Sequence, residues 1–357
     1  MDLSIFNKKK ILITGHTGFK GSWLTIWLLQ TGAEVFGYAL EPKNINDNYC
    51  VTQLSGKIKE YIHDIRDKGK VFEVFAKEEP EIIFHLAAQP LVLESYSAPL
   101  YTMETNISGT ANLLEAFRRN DSAKLLVVIT TDKVYENIES LTGYKETDRL
   151  GGKDPYSASK VSAEIIAHSY QESFFHDNNE KAIVTVRAGN VIGGGDWAEN
   201  RIVPDFIKAI EDNEELIIRN PNSTRPWQFV LEPLGGYLLL AEKILNGEKD
   251  LIGAWNFGPP QNSYLNVEEL VKLFIEHFGR GNYRISPNSV PKKETNYLSL
   301  DITKAINELK WKPCLTIGRT VKLTVDWYKS YKHEDMFEFC TTQISNYVNE
   351  WKSKNSN

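Results

Sequence analysis

Apolar runs and helical patterns alternate along the first half of the chain. ILIT at 11–14 leads into a helical pattern that ends at Gly32, and EVFGY at 34–38 follows. EIIFHLA at 81–87, LLVVIT at 125–130 and AIVTVRA at 182–188 repeat the strand-like pattern. Helical stretches from about Thr102 to Arg119 and from about Ser157 separate them. This alternation predicts an α/β fold with a parallel, doubly wound sheet. The strands are apolar almost throughout, as strands covered on both faces are. After Arg187 the rhythm changes: GNVIGGGDW at 189–197 reads as loop, and RNPNSTRPW at 219–227 is rich in turn residues. The division expected is a sheet domain over 1–187, to which elements around 227–260 return, and a smaller mixed α/β lobe from 188–226 and 261–357.

The join between the first strand and first helix carries Gly15, Gly18 and Gly21. In a dinucleotide-binding (Rossmann) unit the first glycine allows a tight turn. The second lets backbone approach a pyrophosphate, and the third lets helix and strand pack closely. The helix start offers free N–H groups to the anion. A plain glycine-rich turn is the bland alternative. Composition changes this picture little. The chain has 357 residues, 41% of them apolar and 25% charged, which is ordinary for a soluble globular protein. A formal charge of −6 gives no support for nucleic-acid binding, and Lys8-Lys9-Lys10 is too short for a basic arm. The apolar helix stretch 23–29 is too short to span a bilayer, and no signal peptide is expected before the first strand. Cys50, Cys314 and Cys340 form neither a metal-ligand spacing nor a disulfide framework, which points to a reducing cytoplasm. The seven histidines do not cluster, so no metal is expected; His16 and His85 read as packing or capping residues.

Open α/β sheets bind ligands beyond the carboxyl ends of their strands. Thr131, Asp132 and Lys133 follow LLVVIT there, and DPYSASK at 154–160 then opens a helix with Tyr156 and Lys160 one turn apart on one face. An ordinary tyrosine, with a pKa of about 10, is only ~0.1% ionised at pH 7. An ammonium ~4–5 Å away favours the phenolate by an amount of the order needed. Tyr156 is then a candidate base for a substrate hydroxyl while a hydride leaves its carbon. The spacing alone is unspecific: Tyr328 and Lys332 repeat it beside Trp327 and read as a helix surface pair.

TGHTGFKG at 14–21, DIRD at 64–67, HLAAQ at 85–89, N-x-x-G-T at 106–110 and YSASK at 156–160 resemble the extended short-chain dehydrogenase/reductases acting on nucleotide sugars. RAGNVIG at 187–193, RPWQFV at 225–230, WNFGP at 255–259, LDITKAINELKWKP at 300–313 and TVDWY at 324–328 continue the resemblance. TTDKVYEN at 130–137, RPWQFVLEP and GHTGFKGSW are similar to the dehydratase branch, among members that take CDP-glucose. The resemblance implies NAD as cofactor and an elimination without net redox. C4 of the sugar is oxidised, water is lost across C5 and C6, and the hydride returns to C6, giving a 4-keto-6-deoxy sugar for deoxysugar and lipopolysaccharide O-antigen synthesis. It implies Tyr156 as base with Lys160 as partner, Thr131 on the sugar hydroxyl and Asp132 as acid toward C6. Cofactor contacts carried over are Gly15, Thr17, Gly18, Phe19, Lys20, Gly21, Asp64, Ile65, Leu86, Ala87, Ala88, Gln89, Asn106, Thr130, Tyr156 and Lys160. Asn190, Arg201 and Arg225 are carried over to the substrate pyrophosphate; an Arg beside a Trp is equally a stacked surface pair.

Two positions depart from the pattern. Lys133 stands where most sugar-nucleotide dehydratases carry a Glu as C5 base, and it acts either as a base or as an electrostatic holder of the enolate. EVFGYALEPK at 34–43 has no acid near Ala39 to meet the adenosine ribose, and Glu41 lies past that place. NAD remains favoured over NADP, with a weaker hold than usual. An epimerase or reductase of the same fold is one rival; epimerases typically carry Ser-Ser or Ser-Thr at 131–132. A catalytically silent NAD-binding protein is the other, and the intact Tyr156 and Lys160 argue against it. The partners expected are a nucleotide-diphosphate sugar and a second copy, giving a homodimer through the helices near Thr102–Arg119 and Ser157–Phe174, with a tetramer as the larger option. Neither nucleic acid nor membrane is expected.

Overall fold

Seven strands form one parallel sheet: β1 (Lys10–Thr14), β2 (Glu34–Ala39), β3 (Lys59–Ile62), β4 (Ile82–His85), β5 (Leu125–Ile129), β6 (Ala182–Arg187) and β7 (Ala254–Asn256). The computed structural model that shows this describes residues 2–140, 142–176, 180–260, 263–286 and 297–355. The spatial order is β3-β2-β1-β4-β5-β6-β7, so the chain reverses direction across the sheet between β1 and β4. This is the doubly wound fold expected from the alternating pattern. Two strands escape that pattern. KEYI in β3 is an edge strand carrying charges, and AWN in β7 is only three residues long.

The long helices are α1 (Phe19–Gln30), α2 (Lys68–Glu78), α3 (Gly109–Arg119), α4 (Pro155–Tyr170), α5 (Ile202–Asp212), α6 (Leu231–Leu245), α7 (Val267–Phe278), α8 (Ile317–Ser330) and α9 (Met336–Asn355). α2, α3 and α4 pack on one side of the sheet, and α1, α6, α8 and α9 share the core on the other. Ile11, Ile13, Ile82, Phe84, Leu125, Val127, Val184 and Val186 point into a core shared with α1, α6, α8 and α9. The residues between them, Leu12, Ile83, Leu126, Val128 and Ile183, point into a second core with α2, α3 and α4. Side chains alternate in a strand, so each strand must be apolar at every position to feed both cores. Each such side chain, fully buried, contributes roughly 1.5–3 kcal/mol.

The C-terminal helices belong to the first core. Trp27 of α1 meets Tyr347 of α9 edge to face at 5.6 Å. Beneath them Glu232 of α6 accepts hydrogen bonds from the Cys314 and Leu315 N–H groups at 2.8 and 2.6 Å and from the Tyr347 hydroxyl at 2.9 Å. One carboxyl group thus ties α6, the 312–315 turn and α9 together. Burial pushes Glu232 up from 4.5 to about 7, against the pull of those donors. The folded pKa lies above the unfolded one, so the native state holds the extra proton between those two values. Stability therefore falls as pH rises through that window and is level above it, a change of about 3 kcal/mol. Glu232→Gln removes the titration. Its unfolding free energy relative to wild type is expected to rise by a similar amount between pH 5 and 8 in denaturant titrations, and a pH-independent difference would contradict this.

Candidate active site

The site forms at the carboxyl ends of β1, β4, β5 and β6. Gly15 follows β1 with φ +78°, and a β-carbon there would lie 2.7 Å from the Ala87 nitrogen. A β-carbon on Gly21 would lie 2.0 Å from the Gly15 carbonyl oxygen, so only glycine lets α1 start this close to the turn. Gly18 caps α1 without any side chain. Thr17 donates to the Leu40 carbonyl at 2.9 Å, joining the turn to the end of β2. There Ala39 is buried, while Leu40 and Glu41 are exposed. His16 lies over Gly37 and pairs with Glu60 at 2.9 Å.

A buried chain fixes the loop after β4. Thr14 accepts from the Ala87 N–H at 3.2 Å and donates to His85 Nδ1 at 2.7 Å. His85 Nε2–H in turn donates to the Thr110 hydroxyl at 3.0 Å, because that hydroxyl donates to the Asn106 carbonyl. Burial pushes His85 down to about 3, so it stays neutral. Asn106 accepts from the Gln89 N–H at 2.8 Å and donates to the Gln89 carbonyl and to the Ser159 hydroxyl of α4 at 2.9 Å. It therefore locks the loop of Leu86, Ala87, Ala88 and Gln89 to the helix that carries Tyr156. Asp64 and Ile65 lie farther out, beyond β3. The Asp64 carboxylate is bound by Arg66 at 2.7 Å, and Ile65 packs on Gly109.

Asp154 caps α4 by accepting from the Ser157 N–H at 2.9 Å, and Pro155 occupies the first turn. Tyr156 is thereby set at the helix start, beside the Thr131 side chain. Thr131 donates to Asp132 Oδ1 at 3.0 Å, and the Lys133 ammonium reaches the same oxygen at 3.4 Å. Glu136 is bound by Arg149 instead, so Lys133 faces the site. Asp132 is fully buried and its Oδ2 has no hydrogen-bond partner among the described residues. Lys160 donates to the Ile129 carbonyl at 2.8 Å. Burial is the main cause that brings Lys160 down to about 8 and pushes Tyr156 up to about 12. The expected lowering of Tyr156 by Lys160 is thus not realised in this arrangement, since the ammonium is directed at a carbonyl. Thr131 and Arg201 are the groups that favour the phenolate.

Cations gather around this carboxylate. Burial, followed by the charges of Lys160 and Arg201, brings Lys20 of α1 down to about 8. Arg201 holds Asp196 at 2.7 Å and also feels the Tyr156 hydroxyl. Asp132 lies on Gly189, where a β-carbon would fall 1.9 Å from Oδ2. Asn190 follows with φ +50°, and its Nδ2 is buried without a partner among the described residues. Gln228 holds this turn, donating to the Gly189 and Phe257 carbonyls at 3.1 and 3.0 Å. Arg225 sits on a short strand paired antiparallel with Tyr264–Asn266, and the adjacent Trp227 donates its indole N–H to the Leu265 carbonyl. Sequence reasoning missed Gln228 as a holder of this turn and Tyr264, whose hydroxyl feels the Asp132 charge. The second Tyr-x-x-x-Lys pair divides: Tyr328 is buried and donates to the Asp196 carbonyl at 2.6 Å, while Lys332 binds Glu211.

The chain matches the family model for GDP-mannose 4,6 dehydratase over residues 12–324. It is 41% identical over 353 residues to CDP-glucose 4,6-dehydratase of Salmonella typhimurium, covering 98% of each chain. Among solved structures, dTDP-glucose 4,6-dehydratase of Bacillus anthracis in complex with NAD superposes with a TM-score of 0.75 at 22% identity, covering 93% of this chain and 99% of that one. UDP-glucose 4-epimerase of Thermotoga maritima with UDP-glucose gives 0.74 at 25% identity, covering 90% and 99%. The long family match and the near-complete overlap with one relative agree with the motifs, and the chain belongs to the GDP-mannose 4,6 dehydratase family, within the nucleotide-sugar branch of the extended short-chain dehydrogenase/reductases.

Proposed function

We propose that this protein is an NAD-dependent CDP-glucose 4,6-dehydratase, a hydro-lyase that forms CDP-4-keto-6-deoxyglucose. The observation that carries the reading is Asp132, a buried carboxylate with one oxygen engaged by Thr131 and Lys133 and the other unengaged. An epimerase needs no acid there; an elimination does. NAD fits the turn at Gly15, where any side chain would collide with the loop after β4, and the uncapped start of α1 suits its pyrophosphate. The cofactor supplies the hydride acceptor at C4 and the hydride returned to C6. Tyr156 takes the proton of the C4 hydroxyl, which Thr131 orients. The ketone at C4 makes the C5 hydrogen acidic. Its proton passes to Lys133 acting as base or, where Lys133 is an ammonium that holds the enolate charge, to the Asp132 carboxylate, and Asp132 hands a proton to the oxygen that leaves C6 as water. Gly15, Thr17, Gly18, Phe19, Lys20, Gly21, Asp64, Ile65, Leu86, Ala87, Ala88, Gln89, Asn106, Thr130 and Lys160 serve the cofactor; Asn190, Arg201 and Arg225 serve the pyrophosphate of the sugar nucleotide.

The domain holding NAD is 1–187 with 227–260, and the lobe holding the sugar nucleotide is 188–226 with 261–357, the last two helices of which, α8 and α9, pack into the core beside α1 and α6. Leu100, Ile165 and Phe174 are exposed on or next to the helices expected to pair two copies, which supports a homodimer. The cytoplasm is the proposed location; among the described residues no helix is long and apolar enough to cross a membrane.

Incubation with CDP-glucose and NAD is expected to yield a 4-keto sugar, read by its alkaline absorbance. An epimerised sugar or no reaction overturns the assignment. Tyr156→Phe is expected to lower the rate by ~10²–10⁴-fold with the fold intact, and more than about a tenth of wild-type activity contradicts its role.

Lys133→Ala is expected to nearly stop exchange of the C5 hydrogen with deuterated water, leaving a 4-keto sugar that keeps its 6-hydroxyl in rapid-quench mass spectrometry. Lys133→Arg separates the two modes: a fixed cation restores exchange to an electrostatic holder and leaves a base inactive. Exchange unchanged in the alanine variant sinks both.

The missing acid beside Ala39 predicts a weak cofactor hold. A charged hydrogen bond to the ribose adds ~1.5–3 kcal/mol, and its loss weakens binding by about tenfold or more. Dialysed protein is expected to be depleted of NAD and stimulated by its addition; stoichiometric retention contradicts this.

A further inference from the structure

Directly behind Lys160 lies a buried ion pair that the proposed chemistry has not used. Glu164 follows Lys160 by one turn of α4, on the face that also carries Tyr156. Its carboxylate accepts from the Thr130 hydroxyl, from the Thr185 hydroxyl at 2.6 Å, and from Arg187 through Nε at 2.9 Å and Nη2 at 3.0 Å. Arg187 also donates to the Tyr135 hydroxyl at 2.7 Å and to the Glu146 carbonyl at 3.2 Å. Both charged side chains are almost completely buried. The pair ties the end of β5 to the end of β6, and Ile129, the residue whose carbonyl holds the Lys160 ammonium, lies between these anchors.

We infer that Glu164 and Arg187 form a positioning unit for Tyr156 and Lys160: the pair fixes the Ile129–Thr130 backbone, and its carboxylate is the anion that balances the Lys160 ammonium inside a dry site. The inference rests on the dehydratase reading above. A buried ion pair is weak evidence for stability, because desolvation offsets the attraction. Its anion sits one helical turn from Lys160 and acts on that ammonium, which gives the pair an electrostatic use instead. The charged and titratable groups around Lys160 are few. Tyr156 and Glu164 share its helix, neutral His85 comes from β4, and Lys20 comes from α1 with Asp132 and Arg201 beside it. Glu164 is the group among these that favours the charged lysine, while burial opposes it.

The unit makes opposite predictions for its two members, which a merely structural pair does not. Loss of the Lys160 proton sets the alkaline limb of the kcat–pH profile. Glu164→Gln removes the anion and leaves Arg187 unbalanced, so the alkaline limb is expected to move toward lower pH. The shift is about one unit, with kcat at pH 8 down roughly fivefold. Arg187→Gln leaves the anion unbalanced, so the limb is expected to move toward higher pH. The neutral double variant Glu164→Gln/Arg187→Gln is expected to return the limb to its wild-type position with kcat still reduced, because one of the Thr130 and Thr185 hydroxyls loses its acceptor. KM for CDP-glucose is expected to change less than about threefold in all of them. Limbs that stay at the wild-type position in either folded single variant, or that move the same way in both, overturn the inference. Should neither single variant fold, a displaced limb in the double variant does so. Wild-type protein run in the same assay separates this failure from failure of the dehydratase reading, which would appear as no 4-keto sugar at all.

Discussion

The site depends on β5 and β6 ending side by side. These two strands pair from Leu125 and Ala182 to Ile129 and Val186, so the segments that leave them must run together above the sheet. One segment carries Thr130 to Lys133 and the other carries Arg187 to Asn190. Contact is so close that Asp132 rests on Gly189 with no room for a β-carbon. The parallel register thus decides which carboxylate faces the reacting sugar. Helix α4 then needs only its Asp154 cap and the Asn106 bridge to bring Tyr156 against Thr131. A single register shift in β5 would reverse which of its side chains face each core, so the hydrophobic pattern that folds the sheet also fixes the chemistry.

That dependence explains what the sequence reveals and what it hides. Long apolar strands announce themselves, because every position must feed one of two cores. β3 and β7 sit at the sheet edges and carry no such demand, so KEYI and AWN carry no such signal. Glycine positions were legible through backbone geometry alone, and Gly15 and Gly21 have the close contacts that their spacing implied. Gln228 was not legible as a support, since a lone glutamine in an apolar run has no local signature. It matters because two carbonyls from distant segments, those of Gly189 and Phe257, converge on its amide. Lys133 was ambiguous in sequence. In the structure it reaches Asp132, while Glu136 pairs with Arg149, a partner too far along the chain for spacing to reveal.

The fields at the site have one pattern. Lys20, Lys133, Lys160 and Arg201 arrive from four different parts of the chain and surround Asp132 and Tyr156. Burial makes so many like charges costly, and Lys20 and Lys160 are both lowered as a result. Such an arrangement is stable only where anions complete it. Besides Asp132, the protein supplies Asp196 and Glu164, each bound to an arginine. A diphosphate and a developing enolate are further anions of the kind this surplus suits.

An elimination that regenerates its own cofactor places a particular demand on such a site. The same tyrosine must lose and regain a proton within one turnover, so neither form can be favoured too strongly. Burial is the largest influence, and with its neighbours counted Tyr156 stands at about 12, so the phenol is the resting form. A single strong cation beside it would hold the phenolate too well for the return step. The protein instead sets weaker influences against one another. Thr131 and Arg201 favour the phenolate, Asp132 disfavours it, and Lys160 is kept at one remove on the Ile129 carbonyl. Moving Lys160 by the length of one hydrogen bond would shift that balance, and the backbone carbonyl that holds it is anchored on both sides by buried bonds.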